Sequence, residues 1–208
     1  MTPIRLSVTM LDTYVSGMQN DEVTSEELAQ QLFGEFKPSP AMAAGTAFHE
    51  LLELGIPENL AINDYRFTLP NDLNGILELG SIRERKYTWE ILPDVVLVGK
   101  IDAETAFKVI DHKLTAQFDQ DRYMDSLQWR AYLAMRKKCH FAYQVFEHSG
   151  LPAVPDEHGL YEVLINKYHV LEQFAYKGMA EEVREVAYDL AEFARVWKPI
   201  IRNEMAQA

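Results

Sequence analysis

Val95-Val96-Leu97-Val98-Gly99-Lys100-Ile101-Asp102, and after it Phe107-Lys108-Val109-Ile110-Asp111-His112-Lys113, is the stretch from which the fold of this chain is read. Both runs are dense in branched apolar residues, as strands are. Their apolar content suits a sheet covered on at least one face. Side chains alternate faces along a strand, so Asp111 and Lys113 point one way and His112 the other. If the two runs pair as neighbours, Asp102 converges on Asp111. Two carboxylates so placed repel each other unless a cation sits between them. Oxygen ligands of this kind suit Mg²⁺ or Mn²⁺. A lysine beside them supplies a mobile charge that can orient a water or neutralise phosphate. That combination suits metal-assisted phosphodiester hydrolysis. The same three residues would also serve as a cross-strand ion pair on a solvated face.

Around this centre the texture of the chain changes twice. Val8, Leu11, Tyr14, Val15 and Met18 recur at helical spacing over residues 7–18. Thr24-Ser25-Glu26-Glu27 reads as a capping box for a second helix ending near Gly34. Lys37-Pro38-Ser39-Pro40 is a punctuated link, with Ser39 a candidate N-cap and Pro40 the first helical residue of a third helix. That helix runs to about Leu54, where Gly55 stops it. Residues 65–69, 81–92, 94–103 and 106–114 read as strands of an antiparallel meander. Helical spacing returns over 121–138, a strand is expected at 141–146, a hairpin around 160–176, and a long acidic helix over 178–204. The expectation is one α/β domain over 1–208: a helical part at 1–60, the sheet at 64–150, and a C-terminal hairpin and helix at 160–206.

The chain has 208 residues, 48% of them hydrophobic and 25% charged, which is the profile of a globular domain and neither fibrous nor disordered. No apolar run reaches the ~20 residues of a membrane span, and the first residues lack the apolar stretch of a secretory signal. A soluble protein of the cytoplasm is expected. The single cysteine, Cys139, excludes an intramolecular disulfide and an iron–sulfur cluster held by this chain alone; it reads as a buried thiol on an apolar strand. The net charge of −12 argues against indiscriminate nucleic-acid binding. Its distribution is uneven, because residues 81–138 hold 11 Lys and Arg against 9 Asp and Glu. Only there is the field favourable to a polyanion, and Arg83, Arg85, Lys86, Lys100, Arg122, Arg130, Arg136, Lys137 and Lys138 are the candidate phosphate contacts.

The order G-x-x-D, apolar residues, D-x-K and then Gln128-x-x-x-Tyr132 resembles the RecB-like branch of the PD-(D/E)XK nuclease superfamily. Ser7-Val8-Thr9-Met10-Leu11-Asp12-Thr13-Tyr14 is similar to the S-x-(S/T)-x-L-x-x-Y opening of that branch, and Gly45-Thr46-Ala47-Phe48-His49 to its G-x-x-x-H helix. The resemblance implies a restriction-endonuclease-like core, a mixed central β-sheet flanked by helices. It implies that Asp102 and Asp111 hold Mg²⁺ or Mn²⁺ together with the backbone carbonyl of His112 and a nitrogen of His49. Lys113 would be the catalytic lysine, and Gln128 and Tyr132 would line the site. Without the resemblance, His49 reads as a helix-surface residue paired to Glu53. Glu84 and Glu78 are supplementary acids of lower rank, and Glu104 reads as a solvated strand end. The acids Glu181, Glu182, Glu185, Asp189 and Glu192 read as a solvated helix face.

The function so implied is a metal-dependent DNA nuclease of a bacterium or a phage-infected host cell, an exonuclease acting on ends in recombination or repair. The alternatives are a structure-specific or single-strand endonuclease and a non-catalytic nuclease-like binding module. The resemblance further implies that unwinding falls to a helicase or recombination partner, and that several copies can assemble around the duplex. No iron–sulfur cluster is expected, since the cysteines that hold one in many relatives are missing.

Overall fold

The computed structural model describes residues 3–56, 60–70, 73 and 77–206; the ends of the expected domain, 1–2 and 207–208, and residues 57–59 of its helical part lie outside these. In chain order the elements are β1 (Ile4–Ser7), α1 (Thr9–Gln19), α2 (Ser25–Phe33), α3 (Pro40–Glu53), β2 (Ala61–Ile62), β3 (Tyr65–Thr68), β4 (Ile82–Leu92), β5 (Val95–Glu104), β6 (Lys108–Thr115), α4 (Gln120–Asp125), α5 (Leu127–Arg136), β7 (His140–His148), β8 (Tyr161–Phe174) and α6 (Met179–Met205). They form a mixed sheet flanked by helices, as expected. Among the described residues, no helix is long and apolar enough to cross a membrane.

The local signals act where they stand. Thr24 closes a full capping box: its hydroxyl accepts from the Glu27 N–H, and the Glu27 carboxylate accepts from the Thr24 N–H. Ser39 accepts from the Met42 N–H at 3.2 Å, with Pro40 in the first helical turn. Gly55, at φ +83°, takes the left-handed turn after α3.

The strands run in the order β1-β5-β6-β7-β8-β3-β2, with β4 along the other edge of β5. β4, β5 and β6 are the antiparallel meander. β3 is not part of it: it pairs in parallel with Tyr161–Leu164 of β8. The expected hairpin at 160–176 is instead one strand, β8, whose later residues pair antiparallel with β7. β6 and β7 run parallel, so the chain between them must cross over, and α4 and α5 are that crossover. The strand bearing Asp111 and Lys113 therefore feeds directly into the helix bearing Gln128 and Tyr132.

β5 has a divided edge. Its first half, Val95–Val98, pairs with β1, and its last two residues, Ala103 and Glu104, pair with Ile110 and Val109 of β6. Between these partners lies a fork. Backbone groups left without a ladder partner must be satisfied some other way, and side chains do it: the Tyr132 hydroxyl donates to the Lys100 carbonyl at 2.8 Å, and the Asp102 carboxylate accepts from the His112 N–H at 2.8 Å.

Two apolar clusters cover the two faces. Leu6, Leu11, Leu97, Val109, Phe141, Tyr143 and Val145 pack with α5 and α6 on one. Phe48, Leu51 and Leu52 of α3 pack with Phe67, Phe146, Val163 and Ile165 on the other. Val145 and Phe146 show the alternation that divides the faces. Cys139, expected inside a strand, is exposed in the bend before β7.

Gly99 sets how closely α5 can approach the fork. A Cβ there would stand 2.5 Å from a ring carbon of Tyr132 and 3.0 Å from Val8. Gly99→Ala is thus expected to push Tyr132 off the Lys100 carbonyl and cost about 1–3 kcal/mol. Chemical denaturation checks this; an unchanged midpoint would show that α5 is free to move.

Candidate active site

The fork opens into a cleft of about 640 Å³ whose walls include His49, Glu84, Lys100, Asp102, Asp111, Lys113, Gln128 and Tyr132. Continuing the register of Ala103 and Ile110 sets Asp102 across from Asp111. Asp111 is almost wholly buried; its Oδ1 accepts from Gln128 Nε2 at 3.1 Å, and the Lys113 ammonium lies 2.7 Å from Oδ2. Burial works against the Lys113 charge, but the negative charges of Asp111 and Asp102 outweigh it and hold the ammonium above its ordinary pKa. Lys113 is a fixed cation at neutral pH. Burial, and then the charge of Asp111, lifts the Asp102 carboxyl well above the usual carboxylate range. A site that resists the ionisation of its own carboxylate is one in which a second positive charge would be strongly favoured.

α3 brings the nitrogen. Gly45 and His49 share one face of that helix, and both line the cleft. His49 Nδ1 lies 3.5 Å from Asp102 Oδ2 and 4.0 Å from Glu84 Oε1, so it faces the acids and not Glu53. Burial lowers its pKa, which leaves a neutral imidazole with a lone pair to offer.

Glu84, a low-ranking acid on sequence grounds, belongs to this group. Its neighbours Arg83 and Arg85 pair with Ala103 and Ile101, so Glu84 stands opposite Asp102, yet it makes no ladder pair. Its φ is +53°, the left-handed region, at a cost of about 1–2 kcal/mol for a residue with a Cβ. Backbone strain of this kind persists where the surroundings impose it, and such places are often functional. Donor atoms of His49, Glu84 and Asp102 all lie within 4.8 Å of one another, a nitrogen and hard oxygens in one place. Lys100 pairs with Glu84 from the cleft wall.

The ring of His112 points away from Lys113, as the alternation along the strand predicts, while several of the expected basic residues are employed elsewhere. That ring is buried near Phe146 with its centroid 6.3 Å from that of His49. Burial, and then His49, pulls its pKa down to about 4. Arg83 donates to the Leu52 and Glu53 carbonyls and so closes the end of α3. Arg130 donates to the Met124 and Asp125 carbonyls. Arg136 grips Glu104 through two hydrogen bonds, of 2.9 and 3.1 Å, and stacks over Tyr87. Glu104 is 1% exposed, not a solvated strand end. Of the expected phosphate contacts, Lys86 and Lys100 line the cleft, Arg85 lies over Tyr87, and Arg122 is exposed on α4.

Asp12 has a role that nothing in the sequence marks. Its carboxylate accepts from the Ser126 hydroxyl and from the Leu127 N–H, both at 2.6 Å, capping α5 from α1. Ser126 itself accepts from the Gln128 N–H. This double cap explains why the helix expected over 121–138 is broken in two, and it fixes the turn from which Gln128 reaches Asp111.

No family model matches the chain, and no curated protein matches it. Solved structures do. A candidate exonuclease of Eubacterium rectale superposes with a TM-score of 0.56 at 12% identity, over 94% of this chain and 82% of that one. An alkaline exonuclease of Laribacter hongkongensis gives 0.55 at 11%, over 98% and 95%, and another structure of the same protein holds dAMP. A phage-related exonuclease of Haemophilus somnus gives 0.55 at 12%, over 97% and 97%. At these identities the likeness is one of fold.

Proposed function

We propose that this chain is a divalent-metal-dependent deoxyribonuclease of the RecB-like type, working as an exonuclease from DNA ends. The observation that carries the reading is the gathering of Asp102, Asp111, Lys113, His49 and Glu84 at one fork in the sheet, on a fold shared with proteins described as exonucleases. Asp102, Glu84 and His49 would hold the ion, with Asp111 beside them. One nitrogen and several carboxylate oxygens suit Mn²⁺ or Mg²⁺. When bound, such an ion polarises the phosphoryl group and lowers the pKa of water.

The chain's own residues do the rest. Asp111, held from behind by Gln128, orients the Lys113 ammonium toward the cleft. Lys113 stabilises the charge that grows on the phosphate oxygens. His49 is neutral and so does not oppose the ion. Tyr132, whose proton is bound to the Lys100 carbonyl and whose pKa burial pushes up, stays protonated and serves to position β5 against α5.

The test is incubation with covalently closed circular duplex and with its linear form, in Mg²⁺, Mn²⁺ or EDTA. Loss of the linear form alone, abolished by EDTA, is the expected result. Equal attack on both forms would make the protein an endonuclease, and no cleavage in either metal would leave a nuclease-like binding module.

A further inference from the structure

We infer that Phe36 and Met42 form a stacking wall for the nucleobase next to the scissile phosphate, so that the cleft selects an unpaired terminal nucleotide; this rests on the nuclease reading above. Phe36 is 73% exposed and Met42 51%, yet both line the same cleft as Asp111 and Lys113. Exposing an aromatic ring forgoes the stabilisation of its burial, and here the ring lines the cleft that holds the acid–lysine pair. Phe107 is more exposed still, but it does not line the cleft.

Phe36 stands two residues before a proline-restricted stretch. It lies in the short link between α2 and α3, followed by Lys37-Pro38-Ser39-Pro40. The two prolines restrict their own φ and keep the residue before each extended; Ser39 is extended, at φ −74° and ψ 163°. The link that follows the ring has little conformational freedom to lose when a base settles there.

The occupant follows from the chemistry of the walls. Lys86 and Lys100 line the same cleft and suit a phosphate backbone, while the floor carries the groups that would hold the ion. A ligand with a flat apolar face, anionic links and a hydrolysable phosphodiester meets all three. Stacking on an aromatic side chain accepts any base, because every base has a π-face. The base of a paired nucleotide is covered by its neighbours, so a nucleotide at a frayed or single-stranded end fits better.

The experiment places 2-aminopurine at the terminal nucleotide of a single-stranded and of a blunt duplex oligonucleotide. Binding is followed by fluorescence in Ca²⁺, and cleavage in Mg²⁺ or Mn²⁺. Intact protein and Phe36→Trp should quench the single-stranded probe strongly. Phe36→Ala should lose the quenching and bind that probe roughly 10-fold more weakly. Its kcat/KM on normal ends should fall in proportion, while on ends with an abasic terminal nucleotide it should match the unaltered protein. If the unaltered protein cuts DNA and Phe36→Ala matches it in quenching and in kcat/KM, the wall is overturned and the nuclease reading stands. If the unaltered protein quenches the probe in a Phe36-dependent way but cuts nothing, the wall stands and the nuclease reading falls.

Discussion

Asp102→Asn is expected to abolish DNA cleavage while raising the melting temperature of the metal-free protein. The two effects share one cause. Burial, and then the charge of Asp111, raises the Asp102 pKa in the folded state. A carboxyl shifted this way contributes stability that is full below its unfolded value, near 3.8, and lost as the pH rises through the folded value. At neutral pH without an ion, its charge therefore opposes folding. An amide of the same shape removes the charge and keeps an oxygen for the His112 N–H. It also removes the carboxylate proposed to hold the ion, and activity should fall by at least about 10³-fold. Calorimetry in EDTA and a cleavage assay in Mn²⁺ decide it. Undiminished cleavage, or a lower melting temperature, would count against the proposed site.

Glu104→Ala should destabilise the fold severely, although it lies outside the proposed metal site. The Glu104 carboxylate is buried yet accepts from Arg136, Lys138 and Tyr87. Burial alone would raise its pKa, but these partners outweigh it and bring the carboxyl down to about 2. Removing it strands the Arg136 and Lys138 cations against the sheet, and breaking a buried pair from one side costs about 3–5 kcal/mol. For a chain of this size that is a fall of roughly 6–20 °C in melting temperature. The pH dependence has the opposite sign to that of Asp102. The folded pKa is depressed, so the stabilisation is present above about 4.5 and lost as the pH falls toward 2. The variant should therefore show a flatter stability curve in acid. A melting temperature within a degree or two of the unaltered protein would refute the account.

What can be read from a sequence depends on range. Caps act over three or four residues, so Thr24 with Glu27 and Ser39 with Pro40 are legible, as are the strands on either side of Asp102 and Asp111. β1 is not, because the alternation of Ile4-Arg5-Leu6-Ser7 lasts only four residues, too few to be told from the start of a helix. The hairpin expected around 160–176 is a continuous strand, since β7 and β3 supply partners that no local pattern reveals. The same limit hides the state of the charges. Glu104 meets Arg136 across 32 residues, and Arg83 meets the end of α3 across 30 or more. A count of basic residues does not distinguish a cation facing DNA from one spent on a carbonyl. Glu84 ranks low on sequence because nothing nearby marks a glutamate for a left-handed backbone.

The cap that Asp12 places on α5 has a bearing on how the chain folds. It joins residues 114 and 115 positions apart, and β1, just before α1, must reach β5 across a similarly long span. Contacts so distant in sequence pay their loop-closure entropy before they return any stability. The β4–β5 hairpin, the β6–α5–β7 crossover and the β7–β8 pair close over much shorter distances. Their assembly should precede the docking of the N-terminal helix, so the sheet forms first and the pocket last. A chain emerging from the ribosome has made α1 long before it has anything to cap, and Asp12 must wait for residue 127.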